Sequence, residues 1–153
     1  MQVTLIAKSY DSAYLHEHPC TSPLFSNRVS AGFPSPAQDY IEQALDLNAL
    51  CIKHPAATFF VLVEGDSMLE AGIHPGDILV VDRSLQAEHG DIIIACLYGE
   101  MTVKELALRP HVRLLPRNKS YQAIDLADGC DLTIFGVVTH AIHTLRNKPS
   151  TNA

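Results

Sequence analysis

The 153-residue chain is 47% hydrophobic and 18% charged, enough apolar material for one globular domain with a modest core. Its net charge of −6 and pI near 5.7 make a surface that repels phosphates, so charge-driven binding to DNA or RNA is disfavoured and protein partners are expected. Nothing approaches the roughly 18 apolar residues of a membrane span, and "MQVTLIAKSYDSAY" is too short and interrupted for a signal peptide, so a soluble, cytoplasmic protein is expected.

Residues 1 to about 31 carry little periodicity and include the turn-rich "HEHPCTSPLFSNRVSA", which reads as a flexible arm. Next, "SPAQDYIEQALDLNALCI" predicts a short helix. Ser35 can cap it, Pro36 suits the first helical position and Gln38 completes an S-x-x-Q capping box. Tyr40, Ile41, Ala44 and Leu45 then fall on one face.

From residue 58 the pattern changes to strands: "TFFVLVE", "DILVVD", "DIIIACLY", "MTVKELAL", "VRLLP" and "TIFGVVTHAIHTL". Turn signals such as "HPGD", "EHGD" and "ADGCD" separate them, and "LYGEMTV" reads as a tight hairpin. The expected fold is mostly β, with folded-over antiparallel sheets, a short helix and the arm. The tail "RNKPSTNA", residues 146–153, is expected to be disordered. The four cysteines are far apart and form no C-x-x-C, which predicts buried free thiols in a reducing compartment.

Ser67, in "EGDSML", sits just past the apolar run "TFFVLV". Alone, such a serine is a cap or turn residue; it becomes a nucleophile only if a base takes its proton. A His-Asp pair is one option. Of the eight histidines, His16, His18, His54, His74, His89 and His111 fall in loops or the arm. His140 and His143, three apart in the last strand, point to opposite faces, which counts against a shared metal site and favours solvated surface histidines. No metal and no cofactor are expected.

Lys104 is the other option. By alternation in "MTVKELAL" it shares a face with Leu106 and Leu108. If that face is the core side, desolvation lowers the amine's pKa, and a neutral amine can act as a base. If it is an exposed edge, the lysine snorkels or blocks aggregation.

The stretch "EGDSMLEAGIHPGDILVVDRSLQAEHGDIIIACLYGEMTVKEL" resembles the self-cleaving Ser-Lys domain of the LexA/UmuD family, and within it UmuD-type proteins. "PLFSNRVSAGFPSPAQDYIEQALDLNALCIKHPAATFFV" is similar to UmuD as well, so the likeness runs from about Pro23 to Leu145. The Gly-Asp-Ser-Met turn, the Thr-Val-Lys strand and the spacing of 37 residues from Ser67 to Lys104 agree with the family pattern.

The resemblance implies that Ser67 is the nucleophile, Lys104 the general base, and the backbone amides of Asp66 and Ser67 the oxyanion hole. It implies a cut between Ala31 and Gly32. Residues 1–31 are then an arm removed by self-cleavage, and 32–145 form the peptidase-like β domain. Alanine fits a shallow pocket, Gly32 removes side-chain obstruction, Val29 can fill an apolar pocket, and Pro34 and Pro36 disfavour helix beyond the cut. UmuD-type proteins usually carry cysteine before the glycine; Ala31 stands there in this chain. The implied setting is the SOS response to DNA damage. RecA filaments on single-stranded DNA stimulate the cut, and the product forms a homodimer that joins a UmuC-like Y-family translesion polymerase.

Three alternatives fit the residues less well. A LexA-like repressor needs a helix-turn-helix, but residues 1–31 hold only Lys8 and Arg28 as fixed positive charges and no three-helix pattern, so no direct sequence-specific DNA binding is expected. A signal peptidase needs a membrane anchor. A non-cleaving scaffold that regulates a polymerase has no chemical need for both Ser67 and Lys104.

Overall fold

A computed structural model of the chain describes residues 3–8, 21–25, 41–127 and 130–146. The β-branched runs become strands, in chain order β1 (Val3–Lys8), β2 (Thr21–Phe25), β3 (Ile41–Asp46), β4 (Thr58–Val63), β5 (Ile78–Asp82), β6 (Ile92–Leu97), β7 (Glu100–Ala107), β8 (Arg113–Leu115), β9 (Ile124–Asp125) and β10 (Leu132–Ile142). Among the described residues, one α-helix, α1 (Leu47–Cys51), follows β3. Among the described residues, β2 and β3 pair as a ribbon and the rest form an eight-stranded sheet ordered β1-β4-β5-β10-β6-β7-β8-β9. Every neighbouring pair is antiparallel.

The mostly β, antiparallel architecture expected from the sequence is present. Ile93 and Ile94, adjacent on β6, are both fully buried but belong to different apolar clusters. Successive strand residues point to opposite faces, so both faces of β6 are covered, as folding the sheet over achieves. The "LYGEMTV" hairpin closes as expected, with Leu97 opposite Glu100 and Tyr98-Gly99 as the turn. Strand β10 returns between β5 and β6, bridging the two halves of the sheet. Its register shifts between Ile134 and Gly136, and a Cβ on Gly136 would stand 2.7 Å from Val81 Cγ1 and 3.1 Å from the Asp82 carbonyl. Only glycine lets the strands approach this closely.

Two expectations are corrected. The helix predicted from a Ser35 cap does not extend over Ile41–Asp46, which is strand β3 paired with β2. The helix starts at Asp46, whose carboxylate accepts from the Asn48 amide at 2.9 Å. A short helix is marginal by itself, and the ladder to β2 satisfies the same backbone groups. Ser35, Pro36, Gln38 and Tyr40 lie outside the described residues. Secondly, residues 1–31, expected to be a flexible arm, include strands β1 and β2. Strand β1 pairs with β4 at the end of the sheet, and backbone pairing there needs no side-chain periodicity.

Cys51, Cys96 and Cys130 are free thiols, half-buried rather than fully buried. The tail beyond residue 146 lies outside the described residues. Among those residues, no helix is long and apolar enough to cross a membrane.

Candidate active site

The chain leaves β4 at Val63 and turns at Gly65, whose φ of +86° suits a residue without a Cβ. Ser67 follows, then a 3-10 turn at Leu69–Ala71. Met68 is fully buried against Val63, Leu79, Val81 and Val103, so the turn is anchored in the core beside the serine. Residues after β8 clamp it from the other side. The Arg117 amide donates to the Ser67 carbonyl at 2.8 Å, and the Glu70 amide donates to the Arg117 carbonyl at 2.7 Å. Asn118 Nδ2 donates to the Asp66 carbonyl at 2.9 Å, and the Tyr121 hydroxyl donates to Asp66 Oδ1 at 2.5 Å. That bond to the carboxylate holds the Tyr121 phenol above its ordinary range.

Lys104 comes from β7, opposite Ile93 on β6. It is 6% exposed and Ser67 is 0% exposed, so its face is the core side and the exposed-edge alternative is overturned. Leu106 shares that burial, while Leu108 lies past the end of β7 and is exposed. Burial pushes the Lys104 amine below its ordinary value of 10.5. The reason is that a charged ammonium loses its water there.

Lys104 Nζ lies 3.2 Å from Ser67 Oγ and donates to Thr102 Oγ1 and the Val103 carbonyl, each at 2.9 Å. A neutral amine has two N–H donors and one lone pair. With the amine neutral, Thr102 and Val103 can take those two donors, and the lone pair is then available to the serine hydroxyl. The arrangement can therefore accept the Ser67 proton.

Among the described residues, no histidine hydrogen-bonds to Ser67. His54 pairs with Asp82 at 2.6 Å, and Ser84 Oγ donates to the same carboxylate at 2.6 Å. With the carboxylate in the middle, the imidazole cannot reach that serine's proton. Burial pushes Asp82 up, but the bonds from Ser84 and His54 outweigh it and leave Asp82 lowered. His140 and His143 do not come together. His140 Nδ1 sits 3.0 Å from Thr139 Oγ1, whereas His143 Nδ1 is 2.5 Å from Asp77 Oδ1 and its ring lies against His74. His143 is therefore at the surface as expected, its side chain 40% exposed, but it is paired with Asp77 rather than free in solvent.

The structure therefore brings Ser67 and Lys104 together and places Asp66 in the same turn. Val29, Ala31, Gly32 and Pro34 lie outside the described residues. Sequence reasoning missed Thr102, Arg117, Asn118 and Tyr121. Thr102 was within reach, being two residues before Lys104 on one strand face. The Asp66 contacts of Asn118 and Tyr121 span 52 and 55 residues and left no local signal.

The family described as Peptidase S24-like matches residues 23–139. The chain is 54% identical over 127 residues to Protein SamA of Salmonella typhimurium (strain LT2), spanning 83% of this chain and 89% of SamA. It is 55% identical over 124 residues to Protein ImpA of Escherichia coli, spanning 81% and 85% of the two chains. Protein MucA of Escherichia coli is 50% identical over 121 residues, spanning 78% and 83%.

Proposed function

The chain belongs to the Peptidase S24-like family as a UmuD-type member, and on that premise we propose that it is a serine peptidase that cuts its own backbone between Ala31 and Gly32. The observation that carries the proposal is the 3.2 Å approach of Lys104 Nζ to Ser67 Oγ in a site closed to water. A hydroxyl with no solvent exposure does not meet a diffusing peptide without rearrangement. A segment of its own chain, joined to it covalently, can serve as an internal substrate.

In this mechanism neutral Lys104 takes the Ser67 proton as Oγ attacks the Ala31 carbonyl carbon. The Asp66 and Ser67 amides hold the resulting oxyanion. The carbon–nitrogen bond to Gly32 then breaks, and the Lys104 ammonium returns the proton to the departing amine. Water, activated by the same amine, hydrolyses the ester on Ser67. The products are residues 1–31 and Gly32–Ala153.

The cellular reading follows from the UmuD type. The protein acts in the SOS response to DNA damage. A RecA filament on single-stranded DNA favours the cleavable conformation, a shift of population rather than a supply of chemistry. The processed chain pairs as a homodimer and joins a UmuC-like Y-family polymerase in error-prone synthesis.

The test follows the mass of the purified chain at mildly alkaline pH, with and without RecA–single-stranded DNA filaments. Fragments of 31 and 122 residues are expected, and none from Ser67→Ala or Lys104→Ala. A parent chain that stays intact in both conditions would instead support a binding module that regulates a polymerase without cutting itself.

A further inference from the structure

We propose that His74, Asp77 and His143 form a binding site for one divalent transition-metal ion, with Zn²⁺ the best match to the donor set. This site shares no residue with Ser67 and Lys104.

The fold assembles these residues from two places. His74 and Asp77 belong to the turn before β5, and His143 directly follows β10. Because Ile142 pairs with Ile78 in the β10–β5 ladder, the next step outward sets His143 beside Asp77. One ligand atom from each of the three side chains lies within 4.8 Å of the others. The His74 and His143 rings lie 4.5 Å apart, centroid to centroid, at 31°.

Asp77 is 1% exposed, and its two oxygens are already divided between the partners. Oδ1 is 2.5 Å from His143 Nδ1, and Oδ2 accepts from the His74 backbone amide at 2.8 Å. His74 Nδ1 is the anomaly. The atom is buried, has no hydrogen-bond partner among the described residues, and stands 3.7 Å from Asp77 Oδ2. A buried polar atom left without a partner is costly, which favours a ligand there. The 3.7 Å gap is too long for a hydrogen bond but suits two ligands of one ion, since donors at tetrahedral Zn²⁺ sit about 3.4 Å apart.

The chemistry selects the ion. Two imidazoles and one carboxylate suit zinc and its neighbours, whereas calcium and magnesium require mostly oxygen ligands. Binding displaces the proton shared by His143 and Asp77 and parts that pair by about 1 Å to reach ligand spacing. Three protein ligands leave a fourth position for water. The ion would tie the turn ahead of β5 to the end of β10.

The test titrates the full chain, stripped with chelator, with ZnCl₂ by calorimetry and with CoCl₂ by visible absorption. Expected are one ion per chain at micromolar affinity or tighter, a tetrahedral cobalt spectrum, and a higher melting temperature with zinc. His74→Gln and His143→Gln should each weaken binding about tenfold or more, by loss of one ligand, while His140→Gln leaves it unchanged. His74→Gln keeps its backbone bond to Asp77, so circular dichroism should report an intact fold. Absence of binding by the folded parent, or equal binding by all three variants, overturns the proposal.

Discussion

The backbone amide of Arg117 donates to the carbonyl of Ser67 at 2.8 Å, and its guanidinium pairs with Glu105, the residue after Lys104 on β7. The turn that carries the hydroxyl and the strand that carries the amine are thus braced by one residue. Arg117→Ala keeps the backbone bond and removes the brace. Self-processing should slow by about 10- to 100-fold, the scale of a small misplacement of reacting groups. Glu105→Gln should slow it less, because a neutral amide still accepts from the guanidinium. Unchanged rates in both variants, followed by mass, would show that the ion pair does not hold the site.

Processing should accelerate with rising pH. Below the midpoint, each pH unit removes about nine-tenths of the neutral amine, so the rate falls about tenfold per unit. The plateau should begin below 10.5, because burial lowers the Lys104 pKa. Lys104→Arg should be inert at every pH, since a guanidinium stays charged. A midpoint at or above 10.5 would exclude the buried amine as the group being titrated.

The same burial makes Lys104 a liability for stability. Its folded pKa lies below its unfolded value of 10.5, so between the two the unfolded chain binds a proton that the folded chain lacks. Stability then rises with pH across that window, and below it the full cost of burying the ammonium is present. In a Ser67→Ala background, Lys104→Met should therefore melt higher at pH 6, by about 2–4 °C per kcal/mol recovered in a chain of this size. The difference should shrink as pH approaches 10.5. Scanning calorimetry at several pH values reads this directly, and a pH-independent difference would contradict it.

Gly136→Ala should be strongly destabilising for a one-carbon change. Its Cβ would meet Val81 Cγ1 at 2.7 Å and the Asp82 carbonyl at 3.1 Å, and the backbone oxygen cannot swing aside. A loss of about 1–3 kcal/mol is expected, as for other overpacked positions. Urea unfolding measures it, and a midpoint equal to the parent's would mean that β5 and β10 separate at little cost.

The strands from Thr58 onward were legible because their β-branched runs are bounded by turn residues, and Lys104 stood out as a charge amid apolar neighbours. What misled was Ile41–Asp46, where apolar spacing fits a helix as well as a strand and the deciding partner, β2, is distant in sequence. The clamp on Ser67 was invisible for a related reason. Arg117, Asn118 and Tyr121 follow β8 in a polar stretch that reads as an ordinary loop, and only the folded sheet sets it against Asp66 and Ser67. For His143, strand alternation correctly separated it from His140 and the residue is exposed as expected, but nothing in the sequence pointed to Asp77.

Strand β1 is joined to β4 by pairings that run from Val3↔Val63 to Lys8↔Phe59. A covalent tether keeps such a segment at an effective concentration near millimolar, and a break between Ala31 and Gly32 abolishes that advantage. At cellular dilution the severed peptide would drift off, leaving Phe59–Val63 with a row of unanswered amides and carbonyls open to another chain. Faster deuterium uptake along this stretch after processing would register the exposure. Scission would then act less as pruning than as the unveiling of an adhesive seam.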